Sequence, residues 1–185
     1  PEAAELHVLP TIWFRNIWSW GGNVLRPELF QTAGSTNAVT LAHPNLGHRY
    51  FHAEGAGALL FTENESNNAR LFNGTNKSAY VKDGIGEYVV HGNAEAVNPA
   101  KKGTKASAHY QVTVPAGASQ VIRLRLNDTA PAASAKSRSQ QAFGTDFTKL
   151  LETRRQEADE FYATVIPASL DEDQTRVMRQ ALAGM

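Results

Sequence analysis

Two hydrophobic periods divide this chain. Up to about residue 126 apolar residues tend to recur at every second position, and from about residue 143 they recur at helical spacing. Successive strand side chains point to opposite faces, whereas helical neighbours meet three and four residues apart, so the period separates sheet from helix. The expectation is a mainly β chain: an antiparallel β-sandwich over residues 1–126, a linker over 127–142, and two C-terminal α-helices within 143–185.

The stretch Leu6 to Phe14 sets Leu6, Val8, Ile12 and Phe14 on one face, with Leu9 and Trp13 on the other. Apolar groups on both sides predict a strand covered on both faces, and Pro10, lacking an N–H, predicts an edge or a bulge there. Further strands are expected at Ala38–Ala42, Arg49–Ala53 and Ala58–Thr62, with a short one at Arg70–Phe72, each bounded by turn-forming Gly, Asn or Pro. Strands at Ala108–Val114 and Gln120–Leu126 flank Pro115-Ala116-Gly117-Ala118 and read as a hairpin, with Tyr110, Val112, Val114, Ile122, Leu124 and Leu126 facing inward. Tyr80–Val90 reads as a turn of helix on a loop, weakened by two glycines. Beyond the Ala-, Ser- and Lys-containing linker, a stripe from Phe147 to Val165 predicts a helix capped by Thr145 or Asp146. Pro167 ends it, and Ser169-Leu170-Asp171-Glu172 predicts a capping box opening a second helix that continues in a longer parent chain.

Composition narrows the function classes. Within 185 residues there is no cysteine, which removes disulfides, thiolate metal sites and cysteine nucleophiles. Lysine plus arginine and aspartate plus glutamate balance at 18 each, against the basic excess that phosphate backbones select, so no nucleic-acid partner is expected. No apolar run reaches bilayer length, so no membrane partner is expected, and no secretory leader is visible; the expected setting is cytoplasmic, with any localisation signal left to the parts of the polypeptide outside this chain. Both ends read as cuts within a longer polypeptide.

Three tryptophans crowd Trp13-Phe14-Arg15-Asn16-Ile17-Trp18-Ser19-Trp20. Flat rings cover the apolar C–H face of a sugar while amide and guanidinium groups bond its hydroxyls. On that chemistry Trp18, Trp20, Asn16 and Arg15 are the candidate carbohydrate-facing residues. The other reading of the same rings is filler between sheets or against another domain. Glu63, Glu65, Asp83 and Glu87 invite a search for the paired carboxylates of a glycosidase, but Thr62-Glu63-Asn64-Glu65-Ser66-Asn67-Asn68 reads as a hydrogen-bonded turn region, and structural roles are expected for all four. The histidines (His7, His43, His48, His52, His91, His109) fall at no zinc-site spacing, so no metal and no cofactor is expected.

Several blocks together resemble a known family. Leu9-Pro10-Thr11-Ile12-Trp13-Phe14-Arg15-Asn16 running into Trp18-Ser19-Trp20-Gly21, Phe61-Thr62-Glu63-Asn64, Tyr80-Val81-Lys82-Asp83-Gly84, Glu87-Tyr88-Val89-Val90-His91-Gly92 and Gly103-Thr104-Lys105-Ala106 carry the likeness, with Glu157-Ala158-Asp159-Glu160-Phe161-Tyr162 and the segment from Val177 to Met185. They are similar to bacterial glucosidase-like proteins related to glycoside hydrolase family 63. The resemblance implies that the sandwich is part of a larger super-sandwich and that the two helices lead toward an (α/α)6 barrel outside this chain. It further implies that this barrel, the expected partner, holds the acid and base of an inverting α-glucosidase. No catalytic residue is therefore assigned here. The segment would be a non-catalytic accessory sandwich that packs against the barrel and shapes its sugar site. The alternative is a stand-alone carbohydrate-binding or interaction module that takes oligosaccharide without hydrolysing it.

Overall fold

A computed structural model describes residues 2–21, 24–131 and 141–184. The chain divides into two compact units, Pro1–Ala133 and Ser134–Met185. Most of the expected linker, residues 132–140, lies outside the described residues.

The first unit is mainly antiparallel β. Its strands are β1 (Ala4–Val8), β2 (Thr11–Trp13), β3 (Glu28–Gln31), β4 (Ala38–His43), β5 (Gly47–Ala53), β6 (Ala58–Thr62), β7 (Lys102–Gly103), β8 (Lys105–Val114) and β9 (Leu124–Asn127). One sheet is ordered β7-β3-β4-β5-β9; in the other, β8 pairs with β1, β2 and β6. One core joins them: Leu29, Val39, Leu41, Phe51 and Ala53 from the first sheet meet Leu59, Phe61, Ala106, Ala108 and Tyr110 from the second. Apart from Leu29, the lone contributor from β3, these residues are spaced by two along their strands, which is why alternation in the sequence suffices to build a layer. Phe61, Leu29 and Val39 are wholly buried, and each such side chain contributes about 1.5–3 kcal/mol relative to exposure. The arrangement is consistent with a β-sandwich.

The interruption expected at Pro10 is present: β1 and β2 flank it and pair in turn with β8, Val8 opposite Tyr110 and Thr11 opposite Ser107, while Pro10 O accepts from Ala108 N at 3.0 Å. Val8, Ile12 and Phe14 pack on the shared core, and Leu9 turns to a second cluster. That cluster, Leu60, Ile85 and Val97, lies beneath α2 (Gly84–His91). Ile85, Tyr88 and Val89 supply the helix's apolar side, so the segment is a full two-turn helix rather than a turn on a loop. Gly84 is required at its start, since an added Cβ would lie 2.2 Å from Ala96 O. The chain changes sheets at Gly103-Thr104, where a Cβ on Gly103 would lie 2.3 Å from Thr62 O.

Several expectations are corrected. The hairpin does not form: β8 belongs to one sheet and β9 pairs with β5 in the other, Leu126 opposite Phe51. Residues 115–123 cross between sheets, letting Ile122 reach the core and Arg123 pair with Glu54 (Nη2–Oε1 2.6 Å). Leu124 and Leu126 are consequently exposed rather than inward. Arg70–Phe72 is helical, within α1 (Asn68–Phe72), because Asn67 accepts from Arg70 N at 3.1 Å and Asn73 closes the turn at φ 50°. Strands β3 and β7 were not expected.

In the second unit, α3 (Thr145–Val165) and α4 (Glu172–Ala183) form the expected helix pair. Their caps differ. Gly144 takes the N-cap of α3, with Thr145 already helical. The capping box of α4 is built by Asp171 with Gln174, whose N donates to Asp171 Oδ1 at 2.8 Å, two residues later than the serine. Arg179 ties the helices by pairing with Asp159 (2.6 Å) and covering the Tyr162 ring (4.6 Å). Neither helix buries a residue fully.

Candidate functional site

Beyond Trp13 the chain leaves β2 and makes a short 3-10 turn at Trp18–Trp20. Two asparagines latch it to the end of β6. Asn16 Nδ2 donates to Asn64 O (2.9 Å), and Asn64 Nδ2 donates back to Phe14 O (3.0 Å). Asn16 Oδ1 also accepts from Ser19 N (3.2 Å), closing the turn itself. Asn64 is held in turn, its N–H donating to Thr104 Oγ1 at 2.8 Å. A reciprocal clasp of this kind fixes a loop that otherwise has little buried apolar surface.

The latch opens a groove of about 710 Å3, within the roughly 300–1,000 Å3 range of small-ligand sites. Trp13 and Trp20 line it at 55% and 71% exposure, so both rings face out of the core. Lys77, Lys82 and Lys105 also line it, with Glu65 as the opposing charge. Trp13 and Lys105 are cross-strand partners in the β2–β8 ladder and so share one face. Lys105 Nζ donates to Lys82 O at 2.8 Å. Burial, and then the nearby Lys82 ammonium, push the Lys105 amine below the ordinary lysine value, with Asp83 opposing.

The expected site residues separate. Asn16 and Trp20 line this groove. Trp18 is half-buried behind it, its indole N–H donating to Glu65 Oε1 at 3.3 Å. Arg15 stacks on the Trp20 ring, 5.3 Å from the centroid. Arg15 and Trp18 instead line a neighbouring, more apolar hollow of about 570 Å3 with Phe14, Leu25, Pro27 and His43. Trp13, expected to be covered, is the ring that sequence reasoning missed. Lys82 and Lys105 were missed as well. The available signal was that each stands inside a block carrying the family resemblance: blocks around Trp13, Asn64, Lys82 and Lys105 are far apart in sequence and converge on this groove.

Three of the four candidate carboxylates, Glu63, Glu65 and Asp83, are engaged in short local contacts. Glu63 accepts from Thr104 Oγ1 (2.7 Å) and pairs with Arg26. Asp83 pairs with Arg70 (2.9 Å) and accepts from Asn67 Nδ2. Glu65 serves Trp18, and Glu87 lies 4.0 Å from His91. Among the described residues no group of three His, Asp or Glu is placed to hold a metal ion, and no helix is long and apolar enough to cross a membrane.

No family model matches the chain, and no solved structure matches it. The chain is similar to an uncharacterized protein of Saccharomyces cerevisiae, YMR196W, with 30% identity over 210 aligned residues that take in all of this chain and 19% of that protein. It therefore spans about a fifth of the length of the relative it matches.

Proposed function

We propose that this segment is the non-catalytic accessory sandwich of a larger glycoside hydrolase of α-glucosidase type, and that its tryptophan groove walls a saccharide site. The sequence blocks similar to family 63 glucosidase-like proteins suggest the parent, and a relative about five times longer is compatible with one. The observation that carries the reading is the latched pair of exposed indoles, Trp13 and Trp20, beside hydrogen-bonding side chains. Engagement of Glu63, Glu65 and Asp83 in local contacts favours a supporting role over a catalytic one. The helix pair adds support: Leu150, Leu151, Phe161 and Val165 of α3 remain 41–61% exposed, as helices that pack on further polypeptide would be. In this reading the chain's partner is a helical-barrel catalytic domain of the same polypeptide, in the cytoplasm.

The test is hydrolysis by the longer polypeptide. Activity on α-linked glucosides is expected, and inactivity across α-glucosides and α-mannosides contradicts the proposal. A second reading, a stand-alone carbohydrate-binding module, is favoured by one fact: the groove is built wholly within the first unit. It predicts that residues 1–185 alone bind gluco-oligosaccharides by calorimetry, with most affinity lost in Trp13→Ala or Trp20→Ala.

A further inference from the structure

We propose that the Trp13–Trp20 groove takes an acidic saccharide, a sugar ring bearing a carboxylate or phosphate, with Lys82 and Lys105 reading the charge. The inference rests on the saccharide reading above and narrows it. Three ammonium groups line the groove against one carboxylate, Glu65. This local excess is not inherited from composition, because the whole chain carries zero formal charge. None of the three lysines forms an ion pair among the described residues; the ion pairs there fall to arginines and histidines. Asp83, the acidic residue adjoining Lys82, is already paired with Arg70.

The Lys82 ammonium repels that of Lys105, and burial of Lys105 adds to the cost of its charge, with Asp83 opposing only in part. A bound anion offsets that repulsion. Lys105 spends one donor on Lys82 O and keeps others for a ligand. The rest of the groove suits a sugar. Asn16 and Asn64 are used by the latch, while the Ser66 hydroxyl and Asn68 carboxamide, also in the lining, make no hydrogen bond among the described residues and remain for ring hydroxyls. Trp13 offers its ring on the same face as Lys105, so a ring stacked there places a substituent beside the ammonium.

The experiment compares five probes on the 185-residue chain by calorimetry and by NMR of the tryptophan indoles: methyl α-glucoside, glucuronic acid, glucose 6-phosphate, inorganic phosphate and a single-stranded oligonucleotide. At least one acidic sugar is expected to bind about tenfold or more tightly than methyl glucoside at low ionic strength, with the difference shrinking as salt is raised. Preference for glucuronic acid identifies a carboxylate ligand, and preference for glucose 6-phosphate a phosphate one. Lys82→Gln/Lys105→Gln is expected to bring the acidic sugars down to the neutral one, with folding checked by circular dichroism. Parity of neutral and acidic sugars overturns the inference while leaving the saccharide reading standing. A salt-independent preference, or one that survives the double substitution, also overturns it. Inorganic phosphate or a single-stranded oligonucleotide binding as tightly as the acidic sugars overturns it too, as does no binding by any probe.

Discussion

Alanine substitutions at two glycines of one short helix should have opposite signs. Gly84 and Gly86 both lie in the first turn of α2. A Cβ at Gly84 would sit 2.2 Å from Ala96 O, 3.1 Å from the Ala96 carbonyl carbon and 3.4 Å from Thr62 Cγ2. The first two are backbone atoms and cannot swing aside, so reaching the ordinary contact range above 3.4 Å requires a shift of more than 1 Å. That shift separates α2 from the turn at Ala94–Ala96 and loosens Ile85 and Val97, each about 5–6% exposed. Overpacking of this kind costs about 1–3 kcal/mol, which lowers the melting temperature by about 2–4 °C per kcal/mol in a chain of this size. At Gly86 nothing lies within 4 Å and the residue is exposed. There alanine removes only unfolded-state freedom and should stabilise by about 0.5–1 kcal/mol. Urea unfolding followed by far-UV circular dichroism and tryptophan fluorescence measures both. Equal stabilities for Gly84→Ala and Gly86→Ala would refute the close docking of α2 against the Ala94–Ala96 turn.

Two further outcomes follow from the same geometry. Asn64→Ala leaves Phe14 O without its donor and should cost about 1–2 kcal/mol; acrylamide quenching of tryptophan fluorescence should rise. Combined with Asn16→Ala it should be less than additive, because both residues serve one latch; full additivity would show that the latch is not a unit. His52 is buried at 7% exposure, with Nε2 lacking a hydrogen-bond partner among the described residues. Burial holds its imidazole below the ordinary 6.5 despite an opposing influence from Asn127. Between the lowered folded value and 6.5 the unfolded chain binds the extra proton, so stability is full above 6.5 and falls as pH drops through that window. His109, lowered by burial and then by His7, acts in the same direction. Denaturation midpoints measured across mildly acidic pH should fall in the native chain and fall less in His52→Gln; an identical slope would contradict the assignment.

Much of the fold was legible because alternation and turn residues are local. Strands β4, β5 and β6 have the expected residues because Val39, Leu41, Phe51, Leu59 and Phe61 fall two apart between Gly- and Asn-rich breaks. Pairing is not local, and there the reading failed. Pro115–Ala118 looks like a hairpin turn, but nothing near it reveals that β5 offers β9 an edge from about seventy residues away. Short β3 and β7 hold too few residues to show a period. At Arg70–Phe72 the asparagine cap outweighed weak strand propensity. The site was legible as an aromatic cluster, but which rings face outward was not. Period two put Trp13 opposite Ile12 and Phe14 correctly, yet could not say that its own side is left open. The lysines come from strands and loops that only the folded sheet brings together.

The claim that Trp13 and Trp20 face a sugar is tested most directly by saturation-transfer NMR. Saturating the indole resonances of the 185-residue chain in the presence of a gluco-oligosaccharide and its uronic-acid counterpart should transfer to the ring C–H protons of the bound sugar. The transfer should disappear in Trp13→Ala/Trp20→Ala. No transfer with either ligand, or transfer that persists in the double substitution, would contradict the account.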